Sequence, residues 1–133
     1  MSKRTRLGDL QLRIMEVLWR HGESTVGTVH ESLESSEGHA YTTIATMLQK
    51  MEKRGLVARR MEGRRGVYRP LVESSDVRKS MVDDLVERLF HGNLEEMVDH
   101  LLTSRDVSAD ELKRLSKMIA ERKSESGDGG ASS

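Results

Sequence analysis

At 133 residues the chain has room for one domain, or one small domain with an appendage, and its modest core makes oligomerisation a natural way to bury more apolar surface. Cysteine is absent, which excludes disulfides, thiolate metal sites and cysteine nucleophiles. The 22 basic and 22 acidic side chains cancel, but residues 1–70 hold 13 Lys/Arg against 8 Asp/Glu (net +5) and residues 71–133 hold 9 against 14 (net −5). This asymmetry predicts a basic binding half and a second half with another task.

The opening MSKRTR leads into a polar amphipathic segment without the apolar core of a signal peptide. No run approaches the roughly 18 apolar residues of a membrane helix, so no membrane insertion and a cytoplasmic location are expected. Leu10, Ile14, Val17 and Leu18 form the stripe of a first helix that His21-Gly22 ends, with Trp19 as a packing residue near its end. Ser24 is placed to cap a short second helix carrying Val26, Val29 and Leu33, and the polar SSEGH at 35–39 breaks the pattern.

A third helix is predicted over about 41–54, burying Ile44, Met47, Leu48 and Met51, with Gly55 where a left-handed C-cap residue belongs. Strand-like runs at 57–61 and 67–69 then flank a tip of Gly63-Arg64-Arg65-Gly66, and Pro70 ends ladder pairing. Ser74 or Ser75 caps a fourth helix through about Phe90 with apolar Val77, Met81, Leu85, Val86 and Leu89, and Gly92-Asn93 breaks it. A fifth helix carries Leu94, Met97, Val98, Leu101 and Leu102. Ser108 and Glu111 have capping-box spacing for a sixth, whose stripe is Leu112, Leu115 and Ile119. The polar tail at 124–133 is expected to be disordered.

The expected fold is therefore mainly α. A winged helix-turn-helix of three helices plus a β-hairpin wing occupies residues 1–72, and a three-helix dimerisation domain occupies 73–123. Three short helices with narrow apolar stripes close poorly alone, so Val77, Met81, Leu85, Leu89, Leu94, Met97, Leu101, Leu112 and Leu115 are assigned to pairing with a second copy.

The third helix carries the binding chemistry. Thr42, Thr46, Gln49 and Lys53 share one face, with Thr43 and Lys50 beside them, and no acid precedes Glu52. Threonine methyls suit thymine, glutamine suits adenine, and lysines suit phosphate, so this face fits the major groove of duplex DNA. A merely solvated face would more usually carry Glu. In the hairpin, Arg59, Arg60, Arg64, Arg65 and Arg69 stand against the single acid Glu62, and Arg64 and Arg65 are placed to meet a phosphate or the adjoining minor groove. The bland alternative is an edge hairpin kept soluble by charge. Tyr68 reads as packing. Lys3, Arg4 and Arg6 form either a phosphate-contacting arm or a frayed basic terminus.

With these elements in order, the chain resembles the penicillinase-repressor (BlaI/MecI) family, which also includes copper-responsive repressors. The resemblance runs from about Leu7 to Lys123 and rests on LQLRIMEVLW at 10–19, AYTTIATMLQKMEKRGLV at 40–57, VYRPLV at 67–72, ESSDVRKS at 73–80, FHGNLEEMVDHLL at 90–102 and SADELKRL at 108–115. It implies a winged-helix domain, a helical dimerisation domain and homodimeric repression at inverted-repeat DNA operators. The family's Thr-Thr-x-x-Thr pattern maps onto Thr42, Thr43 and Thr46.

Two departures concern release. A membrane sensor protease cuts an Asn-Phe bond in the penicillinase repressors; the matching bond here is His100–Leu101, so that site is not preserved as such and the resemblance alone does not support proteolytic induction. Copper-responsive relatives carry C-terminal cysteines, which are missing here, so copper sensing through thiolates is excluded.

Other classes find less support. His21, His30, His39, His91 and His100 lack the i, i+4 spacing that sets two imidazoles on one helix face, so no metal or other cofactor is expected. No nucleophile, base or metal converges, so no enzyme is expected, and four aromatics are too few to line a ligand pocket convincingly. The serious alternative is a winged-helix protein-interaction module without DNA-reading function. The basic sign of the third helix and hairpin favours DNA.

Overall fold

Six helices and a small sheet form in the order α1 (Asp9–His21), β1 (Ser24–Thr25), α2 (Val26–Glu37), α3 (Tyr41–Lys53), β2 (Val57–Glu62), β3 (Arg65–Pro70), α4 (Ser74–Phe90), α5 (Leu94–Ser104) and α6 (Ala109–Gly130). The structure is a computed structural model that describes residues 7–130, without the side chains of 34–37 and 126–130. The expected basic arm of Lys3, Arg4 and Arg6 lies outside the described residues.

Helix ends follow local chemistry. Gly22 (φ 78°) turns the chain out of α1 and donates its N–H to the Leu18 carbonyl. Gly55 (φ 79°) sits just past α3: its N–H donates to the Glu52 carbonyl and that of Leu56 to the Met51 carbonyl. Those two bonds are a Schellman motif, and Leu56 and Met51 are both buried beside it. Asn93 caps α5 by accepting the Glu96 N–H at 3.0 Å. Before α6, Ser108 Oγ accepts from the Glu111 N–H at 3.1 Å while Glu111 Oε1 accepts from the Ser108 N–H at 3.3 Å, closing the expected capping box.

Several expectations shift. Ser24 does not cap α2; it is buried in β1, and Thr25 Oγ1 accepts the Thr28 N–H at 3.1 Å instead. The two-residue β1 pairs with β3 (Ser24↔Tyr68, Thr25↔Val67), giving an antiparallel sheet of order β1-β3-β2. The wing strands are longer than expected. Val57 pairs with Pro70 at the base and Glu62 with Arg65 at the tip, so the loop is only Gly63-Arg64. Gly63 (φ 63°) holds the first central position, as a two-residue type II′ hairpin requires. Arg65 and Gly66 therefore belong to β3 rather than to the tip.

The described residues form two compact units, one reaching Arg88 and the other starting at Leu89. In the first, α2 packs on α1 and α3, and α3 packs on β2. Ile14, Met15, Leu18, Val29, Ile44, Leu48, Met51 and Val57 are buried together, joined by Tyr68 from β3. Val77 is part of that core at 1% exposure, with Met81 packed against it. Both were expected at a dimer surface. An amphipathic stripe shows that a helix buries a face but not against what, and the first turns of α4 have found their partner within the chain.

The second unit contains α5 and α6. Among its described residues none is buried, and Leu89, Leu94, Val98, Leu101, Leu102, Leu112, Leu115, Met118 and Ile119 are exposed. Helix α6 runs on to Gly130, through seven positions expected to be disordered. Extending a formed helix costs far less than starting one, and an Arg122–Glu125 pair at 3.7 Å spans the expected break.

Candidate nucleic-acid interface

Helix α3 presents a polar face because its buried residues, Ile44, Leu48 and Met51, fall on the opposite side. Thr42, Thr43, Thr46 and Lys50 line a shallow depression, with Met47 as its apolar component. All four polar residues are exposed, as are Gln49 and Lys53 farther along the helix, which lie outside the depression. The expected reading face is thus split into a threonine-lined hollow and a more C-terminal Gln-Lys segment. Methyl, thioether and hydroxyl groups in one hollow can receive an apolar group and donate a hydrogen bond beside it.

One residue that sequence reasoning passed over fixes this helix. Gln11 in α1 donates from Nε2 to the Met47 sulfur at 3.4 Å and accepts at Oε1 from Arg54 Nη1 at 2.9 Å. The same Oε1 also accepts the Gly8 N–H at 3.2 Å. A single amide therefore ties the start of α1 to the middle and the C-cap of α3. Its contacts join positions 36 and 43 residues apart, which no local pattern reveals. At the other end of α3, Tyr41 and the His30 ring meet edge to face at a centroid distance of 5.8 Å, and His30 Nε2 bonds the His39 carbonyl at 3.0 Å.

The wing's arginines are not equivalent. Arg60 donates from Nε and Nη2 to the two Glu23 carboxylate oxygens at 2.9 and 2.8 Å, and from Nη1 to Glu62 at 3.2 Å. Planar guanidinium and carboxylate match in such a two-bond fork, so Arg60 fastens β2 to the turn before α2. Arg59 lies over Gly66, where a Cβ would come within 3.1 Å of its Cδ, and its Nε reaches to 3.9 Å from Glu52 of α3. Arg65 Nη2 stands 3.5 Å from Glu62. Among the described residues, Arg64 at the turn has no carboxylate partner.

Hydrogen bonds from Arg60 hold the Glu23 carboxyl below its ordinary value of 4.5; desolvation opposes this, and the charges of Arg60 and Arg69 add to it. Arg60 is pushed up by the same bonds. Because the folded carboxyl titrates lower than the unfolded one, the clamp contributes fully above about pH 4.5 and is lost as pH falls through the folded value. Wild type should therefore melt slightly above Glu23→Gln near neutral pH, and the gap should close in acid. Thermal melts of both proteins across pH 3–7 check this, and a gap that persists at the acid end would count against the clamp.

No group of three or more metal-ligating side chains lies close together among the described residues. Nor is any described helix long and apolar enough to cross a membrane.

This architecture matches known proteins. The penicillinase repressor of Bacillus licheniformis is 29% identical over 123 residues, covering 92% of this chain and 96% of its own. The transcriptional regulator BlaI of Mycobacterium tuberculosis is 37% identical over 123 residues, covering 91% and 88% respectively. The solution structure of the DNA-binding domain of the repressor BlaI superimposes with a TM-score of 0.50 at 33% identity, over 57% of this chain and 93% of that domain. The family model described as penicillinase repressor matches residues 7–121, and the chain belongs to that family.

Proposed function

We propose that this protein is a DNA-binding transcriptional repressor that acts in the cytoplasm as a homodimer on inverted-repeat operators. The observation that carries the reading is the threonine-lined hollow on α3, set beside a wing bearing Arg64 and Arg65 and borne on the fold of a repressor's DNA-binding domain. Thr42, Thr43, Thr46 and Gln49 read base edges in the major groove, Lys50 and Lys53 neutralise phosphates, and the wing arginines grip the flanking backbone. Half-sites then lie one or more helical turns apart, roughly 10 bp each.

The second copy is supported by the absence of any buried residue among those described from Leu89 on. Leu85, Leu89, Leu94, Met97, Leu101, Leu112 and Leu115 supply the dimer surface, within a region assigned to 73–123. The net negative charge after residue 70 keeps that surface off the DNA. Release follows a signal that acts on this region. Cleavage at His100–Leu101 by a membrane sensor protease is one candidate route, and both residues are exposed within α5.

Selection of bound duplexes from a random pool at a stated salt tests the reading. A symmetric motif is expected. No enrichment would instead favour a protein-interaction module. With the selected duplex, Arg65→Ala should weaken binding and lower the salt slope by about one unit; an unchanged slope would remove Arg65 from the phosphate contacts.

A further inference from the structure

The wing tip holds an acid where a DNA grip has no use for one. Glu62 and Arg65 are cross-strand partners on either side of the two-residue turn, so the hairpin's register holds them opposite each other. One Glu62 oxygen accepts from Arg60 and the other lies 3.5 Å from Arg65. Arg60 is already held by both oxygens of Glu23, so its charge is largely met without Glu62. Glu62 is therefore shared, one oxygen bonded to Arg60 at 3.2 Å and the other left facing Arg65 at 3.5 Å.

We infer that Glu62 is an affinity-limiting residue: it competes with DNA phosphate for Arg65 and sets how readily the operator is vacated. This rests on the DNA-binding reading above. The Glu62 and Arg65 side chains are 53% and 69% exposed, and a pair so open to water is weak enough for a phosphate to displace. Displacement leaves a carboxylate facing the phosphates, so Glu62 reduces the net charge the wing contributes to counterion release. Phosphate contacts carry no base information, so Glu62 governs absolute affinity and leaves sequence discrimination alone.

The test compares wild type with Glu62→Gln, which keeps shape and removes charge, on the selected duplex and on an unrelated one over a salt series. Glu62→Gln should bind both about three- to tenfold more tightly, with a salt slope steeper by up to about one unit and an unchanged ratio between the duplexes. In an Arg65→Ala background most of the gain should vanish, because the two side chains act as a coupled pair. Wild-type binding with no gain, or a loss, in Glu62→Gln overturns the inference while the DNA reading stands. Failure of wild type to bind any duplex overturns both.

Discussion

Leu48→Ala is expected to destabilise the N-terminal unit by about 3 kcal/mol, within the range for a fully buried leucine cut back to a methyl. Leu48 is 0% exposed and lies on the inner face of α3, so the cavity opens directly beneath the Thr42–Thr46 surface. A domain of this kind has a net stability of roughly 5–15 kcal/mol, so such a loss is a large share of the total. Urea unfolding monitored by circular dichroism should show the midpoint falling with little change in slope. Binding to the selected duplex should weaken with it, because a tilted α3 no longer presents its threonines in register with the wing. An unfolding free energy within about 0.5 kcal/mol of wild type would mean that α3 is not anchored by this residue.

If the protein pairs as proposed, Leu101→Glu, alone or with Leu115→Glu, is expected to leave it monomeric. Both leucines are exposed, at 42% and 39%, so the charges break no buried packing within the described chain, and the N-terminal unit should keep its melting behaviour. A dimer converts the second half-site contact into an intramolecular one, so the monomer should bind a full operator about a hundredfold more weakly and a single half-site nearly as well as before. Sedimentation equilibrium reads the mass and anisotropy reads both affinities. An unchanged dimer mass would place the interface elsewhere.

What the sequence made legible was local. Gly55 announced the end of α3, Ser108 and Glu111 announced the start of α6, and the apolar spacing of Ile44, Leu48 and Met51 fixed which side of α3 faces inward. Each signal acts within one or two helical turns. The features that escaped depend on chain segments meeting at long range. Strand β1 exists because β3 offers an open edge, and two residues of strand carry no periodicity of their own. Val77 reads as one more member of the α4 stripe, and only the assembled core shows that its partner is the winged unit. Gly63 and Gly66 look like symmetric ends of a four-residue tip. Gly66 differs from Gly63: its φ is not positive, and a Cβ there would come within 3.1 Å of the Arg59 side chain, which only the folded hairpin reveals.

The same division holds for the candidate site. Thr42, Thr43, Thr46 and Lys50 stood out by type and spacing and do line one hollow. The side chains that hold that hollow in place, Gln11 and Arg54, looked unremarkable in the sequence. The pairing of Arg60 with Glu23, 37 residues away, likewise showed only in three dimensions, and it marks Arg60 as a fastener while Arg65 nearer the tip has only a looser contact with Glu62.

The chain contains a single tryptophan, and its indole N–H donates to the Val72 carbonyl at 2.9 Å, just where β3 gives way to the approach to α4. Trp19 is half-buried and, with Leu18, Pro70 and Leu71, lines a cleft at that junction. Its emission is therefore a built-in optical gauge of the link between the winged unit and α4. Intensity or wavelength changes on adding duplex would report strain at that link without any dye attached to the protein.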